Sequence, residues 1–98
     1  MRFEWDPAKA TANRADHGVA FEEARTVFGD VLTHTIFDEA HSTPDEDRWL
    51  TMGMSDQGHL LVVWHVDLGD GEVIRIIGTR PATPRERRAY ESGQSSQY

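Results

Sequence analysis

The sequence contains no cysteine, which excludes disulfide bridges, thiolate chemistry and zinc held by sulfur. A reducing cytoplasm fits such a chain. No apolar run comes near the ~20 residues that a membrane-spanning helix needs. The start, Met1-Arg-Phe-Glu-Trp-Asp6, lacks the apolar core of a secretion signal, so export is not expected. Five histidines are present, yet none stands in a His-x-x-x-His or His-Glu-x-x-His spacing. Neither a metal nor a cofactor is therefore expected. Cations are scarce: ten Lys and Arg against seventeen Asp and Glu give a formal net charge of −7. That balance disfavours unspecific binding to nucleic acid, because every phosphate contact has to come from a small set of cations.

Those few cations are concentrated. Arg75, Arg80, Arg85, Arg87 and Arg88 are half of them, and Glu86 is the single acid in that stretch. The rest of the chain is strongly acidic. A split of this kind suggests a strip for an anionic partner on a body that repels polyanions.

Ninety-eight residues, 38% apolar and 28% charged, suit one soluble domain over 1–91 with a flexible polar tail over 92–98. Phe3 and Trp5 alternate with charged residues as on a short strand. Asp6-Pro7 reads as an N-cap followed by proline in the first helical turn, and His17-Gly18 as the helix stop. Phe21, Ala24, Val27 and Phe28 form the apolar stripe of a second helix that ends at Gly29-Asp30. Strands follow at Val31 to Phe37, around Leu50 to Met54, at Leu60 to Val66 and at Val73 to Ile77. Asp56-Gln-Gly58 and Gly69-Asp-Gly71 are hairpin turns, and 38–47 is a polar loop. Thr83-Pro-Arg-Glu86 has capping-box spacing and starts a last helix. The order βααββββα predicts an α+β domain: an antiparallel four- to five-stranded meander with two N-terminal helices and one C-terminal helix. Leu60 to Val66 and Val73 to Ile77 are apolar on both sides, as central strands are.

Phe3-Glu-Trp-Asp6, Lys9, Asn13, His17-Gly-Val19, Phe21, Glu23-Ala24, Val27-Phe28 and Asp30 resemble the N-terminal half of BrnT-type toxins. His41-Ser42, Glu46-Asp-Arg48, Gly53-Met-Ser55, Gly58, Leu61-Val-Val63, Arg75-Ile-Ile77, Arg80, Ala82, Glu86-Arg87 and Tyr90 continue that likeness in order. It covers about residues 3 to 91. Where that family usually reads Ile-Ser-Ala-Arg-Lys-Ala, this chain has Ile77-Gly-Thr-Arg-Pro-Ala82, and its hairpin Asp67-Leu-Gly-Asp-Gly-Glu72 is more acidic. The resemblance implies a RelE-like fold and the toxin of a bacterial type II toxin–antitoxin pair, an endoribonuclease that inhibits translation. It also implies neutralisation by a DNA-binding, BrnA-like antitoxin, with operator DNA reached only through that partner. The assembly expected is a homodimer or a heterotetramer with the antitoxin.

Cleaving RNA without a metal uses the substrate's own 2′-hydroxyl as nucleophile. The protein has to supply a base, a cation for the phosphorane and an acid for the leaving oxygen. Arginine suits the middle role because its planar fork meets two phosphate oxygens at once. Arg75 and Arg80 are the candidates, although an odd spacing on one strand turns them to opposite faces. A bulge or turn at Gly78 is needed to gather them into one phosphate pocket. His41 and Glu46, in the polar loop, are the acid–base candidates. Arg48, Arg85, Arg88 and Lys9 are expected to bind substrate, with Arg85 and Arg88 extending a phosphate track along the last helix. His65, on an apolar strand, reads better as a satisfied structural histidine, and Tyr90 as a core tyrosine with its hydroxyl at the rim. A second reading, a non-catalytic module that only binds the antitoxin, rests on the acidic body.

Overall fold

The computed structural model describes residues 1–93. Five strands, β1 (Arg2–Glu4), β2 (His34–Phe37), β3 (Trp49–Met54), β4 (Leu60–Leu68) and β5 (Val73–Pro81), form one sheet in the order β1-β5-β4-β3-β2. The helices are α1 (Pro7–His17), α2 (Phe21–Ala24) and α3 (Pro84–Ser92). Of the stretch 92–98 expected as a tail, Ser92 closes α3 and Gly93 is its left-handed cap at φ 77°, while residues 94–98 lie outside the described residues. Among the described residues no helix is long and apolar enough to cross a membrane.

β2 to β5 make the expected antiparallel meander. The sheet as a whole is mixed, because β1 runs parallel to β5, with Phe3 opposite Ile74. α1 and α2 lie between β1 and the meander in the chain and give the length of crossover that a parallel neighbour requires. The second helix is shorter than its stripe suggests. After Ala24 the chain tightens into a 3₁₀ turn over Arg25–Gly29. β2 starts only at His34, since Asp30 Oδ1 accepts the Leu32 N–H at 2.9 Å and holds Val31 and Leu32 in a turn.

Caps follow the sequence. Asp6 Oδ1 accepts from Ala8 N at 2.8 Å, Gly18 takes φ 71° after α1, and Thr83 and Glu86 complete the capping box of α3. Alternation along β4 divides the core in two. Leu61 and Val63 join Ile74 and Ile76 under Phe21, Ala24 and Val27. Leu60, Val62 and Trp64 face the other way with Met52, Leu50, Ala82 and Tyr90, on the side of α3.

Candidate functional site

The register between β4 and β5 breaks once. Trp64 lies opposite Gly78 and His65 opposite Ile76, so Ile77 is the extra residue of a β-bulge. Before the bulge Ile74 and Ile76 point to the helix-covered core; after it Thr79, opposite Val63, does so. Arg75 (opposite Val66) and Arg80 (opposite Val62) therefore share the face of α3. In an unbroken strand Arg80 would point into the apolar core.

Two contacts fix this irregularity. Asn13 of α1 is buried, donates from Nδ2 to Thr79 O at 2.9 Å and Val19 O at 3.2 Å, and accepts from Thr79 N at 3.1 Å. It thus serves as a one-residue strand partner for β5 beyond the end of β1. On the other face the Trp64 indole covers Gly78. A Cβ there would stand 2.3 Å from ring carbons Cε2 and Cζ2, so only glycine fits.

A depression of about 290 Å³ opens on this face, lined by Asp38, His41, Arg48, Leu50, Trp64 and Arg80. Its upper wall is the loop between β2 and β3, which extends the hairpin through Asp38 N–Arg48 O at 2.8 Å. Ser42 Oγ ties the loop's two limbs, donating to Asp38 O at 2.7 Å and accepting from Arg48 N at 2.8 Å. A loop so braced positions side chains as a strand does. The buried Asp38 carboxylate accepts from His41 Nδ1 at 2.9 Å, while the imidazole itself is 70% exposed. A neutral imidazole that donates Nδ1–H to Asp38 presents Nε2 as its acceptor nitrogen, the arrangement a general base needs.

Arg80, opposite, grips Glu86 of α3 with both fork nitrogens, Nη1–Oε1 at 2.7 Å and Nη2–Oε2 at 2.9 Å, and Nη1 also reaches Pro81 O at 3.3 Å. This pairing raises the arginine's pKa, the Glu86 hydrogen bond contributing most, and it leaves Nε without a protein acceptor among the described residues. Burial by itself would raise the Glu86 carboxyl. Hydrogen bonds from Arg80 and the Thr83 N–H outweigh it and hold the group below its ordinary value.

The remaining candidates separate from this pair. Arg75 lines a second depression of about 140 Å³ with Asp6, Lys9, Glu46 and Arg48, and pairs with Glu4 at 3.2 Å. The single phosphate pocket expected for Arg75 and Arg80 is thus two depressions side by side, each arginine held by its own carboxylate. Arg48 belongs to both. It bonds Glu46 at 2.9 Å, which draws Glu46 away from His41 into the second depression. Arg85 and Arg88 are exposed on α3 and line neither depression. Asp38, Leu50 and Trp64 enter without having been singled out. Asp38 stands three residues before His41, a spacing that could have signalled it, whereas Trp64 sits in an apolar strand and reads as core.

His65 is structural. It is 2% exposed, bonds Thr51 Oγ1 through Nε2 at 2.8 Å and Asp67 through Nδ1 at 2.7 Å, and lies edge-on to Phe28. Burial lowers its pKa against the pull of Asp67. Tyr90 donates to Asp30 Oδ2 at 2.6 Å, and burial together with that carboxylate pushes its pKa up to about 12. Among the described residues no three histidines or carboxylates gather as metal ligands would.

A family model described as the ribonuclease toxin BrnT of type II toxin–antitoxin systems matches residues 5–86. Among solved structures the chain is similar to the Brucella abortus ribonuclease toxin BrnT. The two share 21% identity at a TM-score of 0.60, over 85% of this chain and 97% of that one. At such identity the likeness speaks for the fold. No curated protein matches the sequence.

Proposed function

The chain belongs to the BrnT family of ribonuclease toxins of type II toxin–antitoxin systems, and we propose that it is a metal-independent endoribonuclease working in the Asp38–His41–Arg80 depression. The observation that carries this reading is the buried Asp38 holding His41 Nδ1 at 2.9 Å across from a fork-bearing arginine. His41 Nε2 takes the proton of the substrate 2′-hydroxyl, whose oxygen then attacks the adjacent phosphorus. Arg80 and Arg48 bear the charge gathering on the phosphoryl oxygens. The bond to the 5′-oxygen breaks, and solvent returns the proton in place of the protein acid expected from Glu46, which Arg48 holds in the second depression. The products carry a 2′,3′-cyclic phosphate and a 5′-hydroxyl. Lys9 and Arg75, in the second depression, hold the neighbouring phosphate.

The reading includes a cytoplasmic protein that arrests translation and is neutralised by a basic, DNA-binding antitoxin. Complementary charge favours that partner, since the body outside the arginine-rich stretch is acidic. Operator DNA is reached through the antitoxin alone.

The test is purified chain with single-stranded RNA in the presence of a chelator. Cleavage to cyclic-phosphate ends, abolished by Arg80→Ala, is the expected result. Intact RNA from a wild-type chain that still co-purifies with the product of a neighbouring reading frame would favour the non-catalytic module. The carboxylates already paired with Arg75 and Arg80 speak for that second reading.

A further inference from the structure

The depression is chemically two-sided. Its rim is ionic (His41, Asp38, Arg48 and Arg80), while its floor is Leu50 and its cross-strand partner Trp64. Phosphate and ribose satisfy the rim and make no use of the Trp64 surface. The Trp64 indole is fixed from two directions. The backbone of Gly78 closes its inner side, and His17 of α1 meets it edge-on with ring centroids 6.4 Å apart at 86°. It stays half-buried although Ala82 and Tyr90 join the same apolar cluster. A core tryptophan would be shut in; this one keeps part of its surface in the cavity.

Building on the ribonuclease reading, we propose that Trp64 is a nucleobase platform. The base next to the scissile phosphate stacks on its accessible surface, which sets the ribose 2′-hydroxyl at His41 and the phosphate at Arg80. Stacking of this kind tolerates any base, because every base has a π-face. It also requires single-stranded RNA, since bases inside an A-form helix are already stacked on their neighbours. Trp64 is then a positioning residue.

The experiment pairs protein and substrate changes. A single-stranded RNA with one cleavage site, and the same RNA abasic on either side of that site, are cleaved by wild type, Trp64→Leu and Trp64→Phe. Trp64→Leu raises KM for intact RNA about 5- to 100-fold with a smaller change in kcat, and Trp64→Phe recovers most of the loss. Abasic RNA costs the wild type a similar factor and costs Trp64→Leu nothing further, the non-additivity that direct contact produces. Equal loss on abasic RNA in both proteins, or wild-type indifference to the missing base, overturns the platform. A second measurement does not depend on cleavage or on the leucine variant's folding. Uncleavable 2′-O-methyl RNA quenches wild-type tryptophan fluorescence, and neither abasic 2′-O-methyl RNA nor Trp64→Phe shows that quench. A base-dependent quench without any cleavage removes the ribonuclease reading and leaves the platform; cleavage without base dependence does the reverse.

Discussion

Arg80 and Glu86 meet fork to fork, at 2.7 and 2.9 Å, and the Oε1 that takes Arg80 Nη1 also accepts the Thr83 N–H at 2.8 Å. One carboxylate thus caps the last helix and aims the cation of the candidate site. The arrangement ties the start of α3 to the end of β5 and keeps the guanidinium in one orientation before any substrate arrives, so that little order is lost on binding.

This pair has a pH signature. Folding depresses the Glu86 carboxyl below its ordinary 4.5. Its contribution to stability is therefore full above that value and is lost as pH falls through the lower, folded one. Asp30 adds in the same sense. Burial would raise it, but Tyr90 and the Met54 and Leu32 N–H groups hold it low. Glu86→Gln keeps an acceptor for Thr83 and removes the charge that faces Arg80. The expected cost is about 1–2 kcal/mol near neutral pH, with a flatter decline of the urea midpoint as pH falls below the ordinary 4.5. An unchanged acid profile would separate the pair from stability.

His41 is expected to act on the chemical step. His41→Ala should lower kcat by about 10²- to 10⁴-fold and leave KM within a few-fold. Asp38→Asn should give a smaller loss, because the loop is held by the Asp38 backbone and not by its carboxylate. Single-turnover cleavage reads both, and a His41→Ala protein as fast as wild type would leave the site without its base.

Gly78→Ala drives a methyl group into the Trp64 ring. Overpacking of this sort costs about 1–3 kcal/mol, and cleavage should fall with it as the indole shifts. Adding Trp64→Leu relieves the clash, so the double variant should lose less stability than the two single losses added together. Simple additivity in chemical denaturation would mean that the ring has room to move.

Asn13→Ala leaves the Thr79 N–H and C=O, both within the protein, without their partner. A loss of about 1–3 kcal/mol follows. Because Thr79 precedes Arg80, hydrogen exchange at the Thr79 amide should rise more than at the centre of β4. Uniform protection across both strands would show that the bulge holds itself.

Much of the architecture is legible in the chain because it rests on local chemistry. Asp6-Pro7 and Thr83 with Glu86 mark helix starts, Gly18 marks a stop, and the alternation of Leu60, Val62 and Trp64 with Leu61, Val63 and His65 assigns each residue of β4 to a face. The parallel attachment of β1 was not legible, since three residues carry no signal of direction and the pairing closes over a long stretch of chain. The same holds for the 3₁₀ turn after Ala24, where packing under the sheet overrides the apolar stripe.

The candidate site divides along the same line. Composition and spacing already contain the stock of groups: few cations concentrated near one strand and helix, a histidine in a polar loop, and the parity conflict that demanded a bulge near Gly78. Their company came from the fold. It set Arg80 with His41 and Arg75 with Lys9, gave Arg48 to both, sent Arg85 and Arg88 to solvent, and turned Trp64 from a core residue into a floor. The reason is physical: alternation and capping act between neighbours in the chain, whereas a depression is formed by side chains from four segments whose meeting depends on one extra residue in β5.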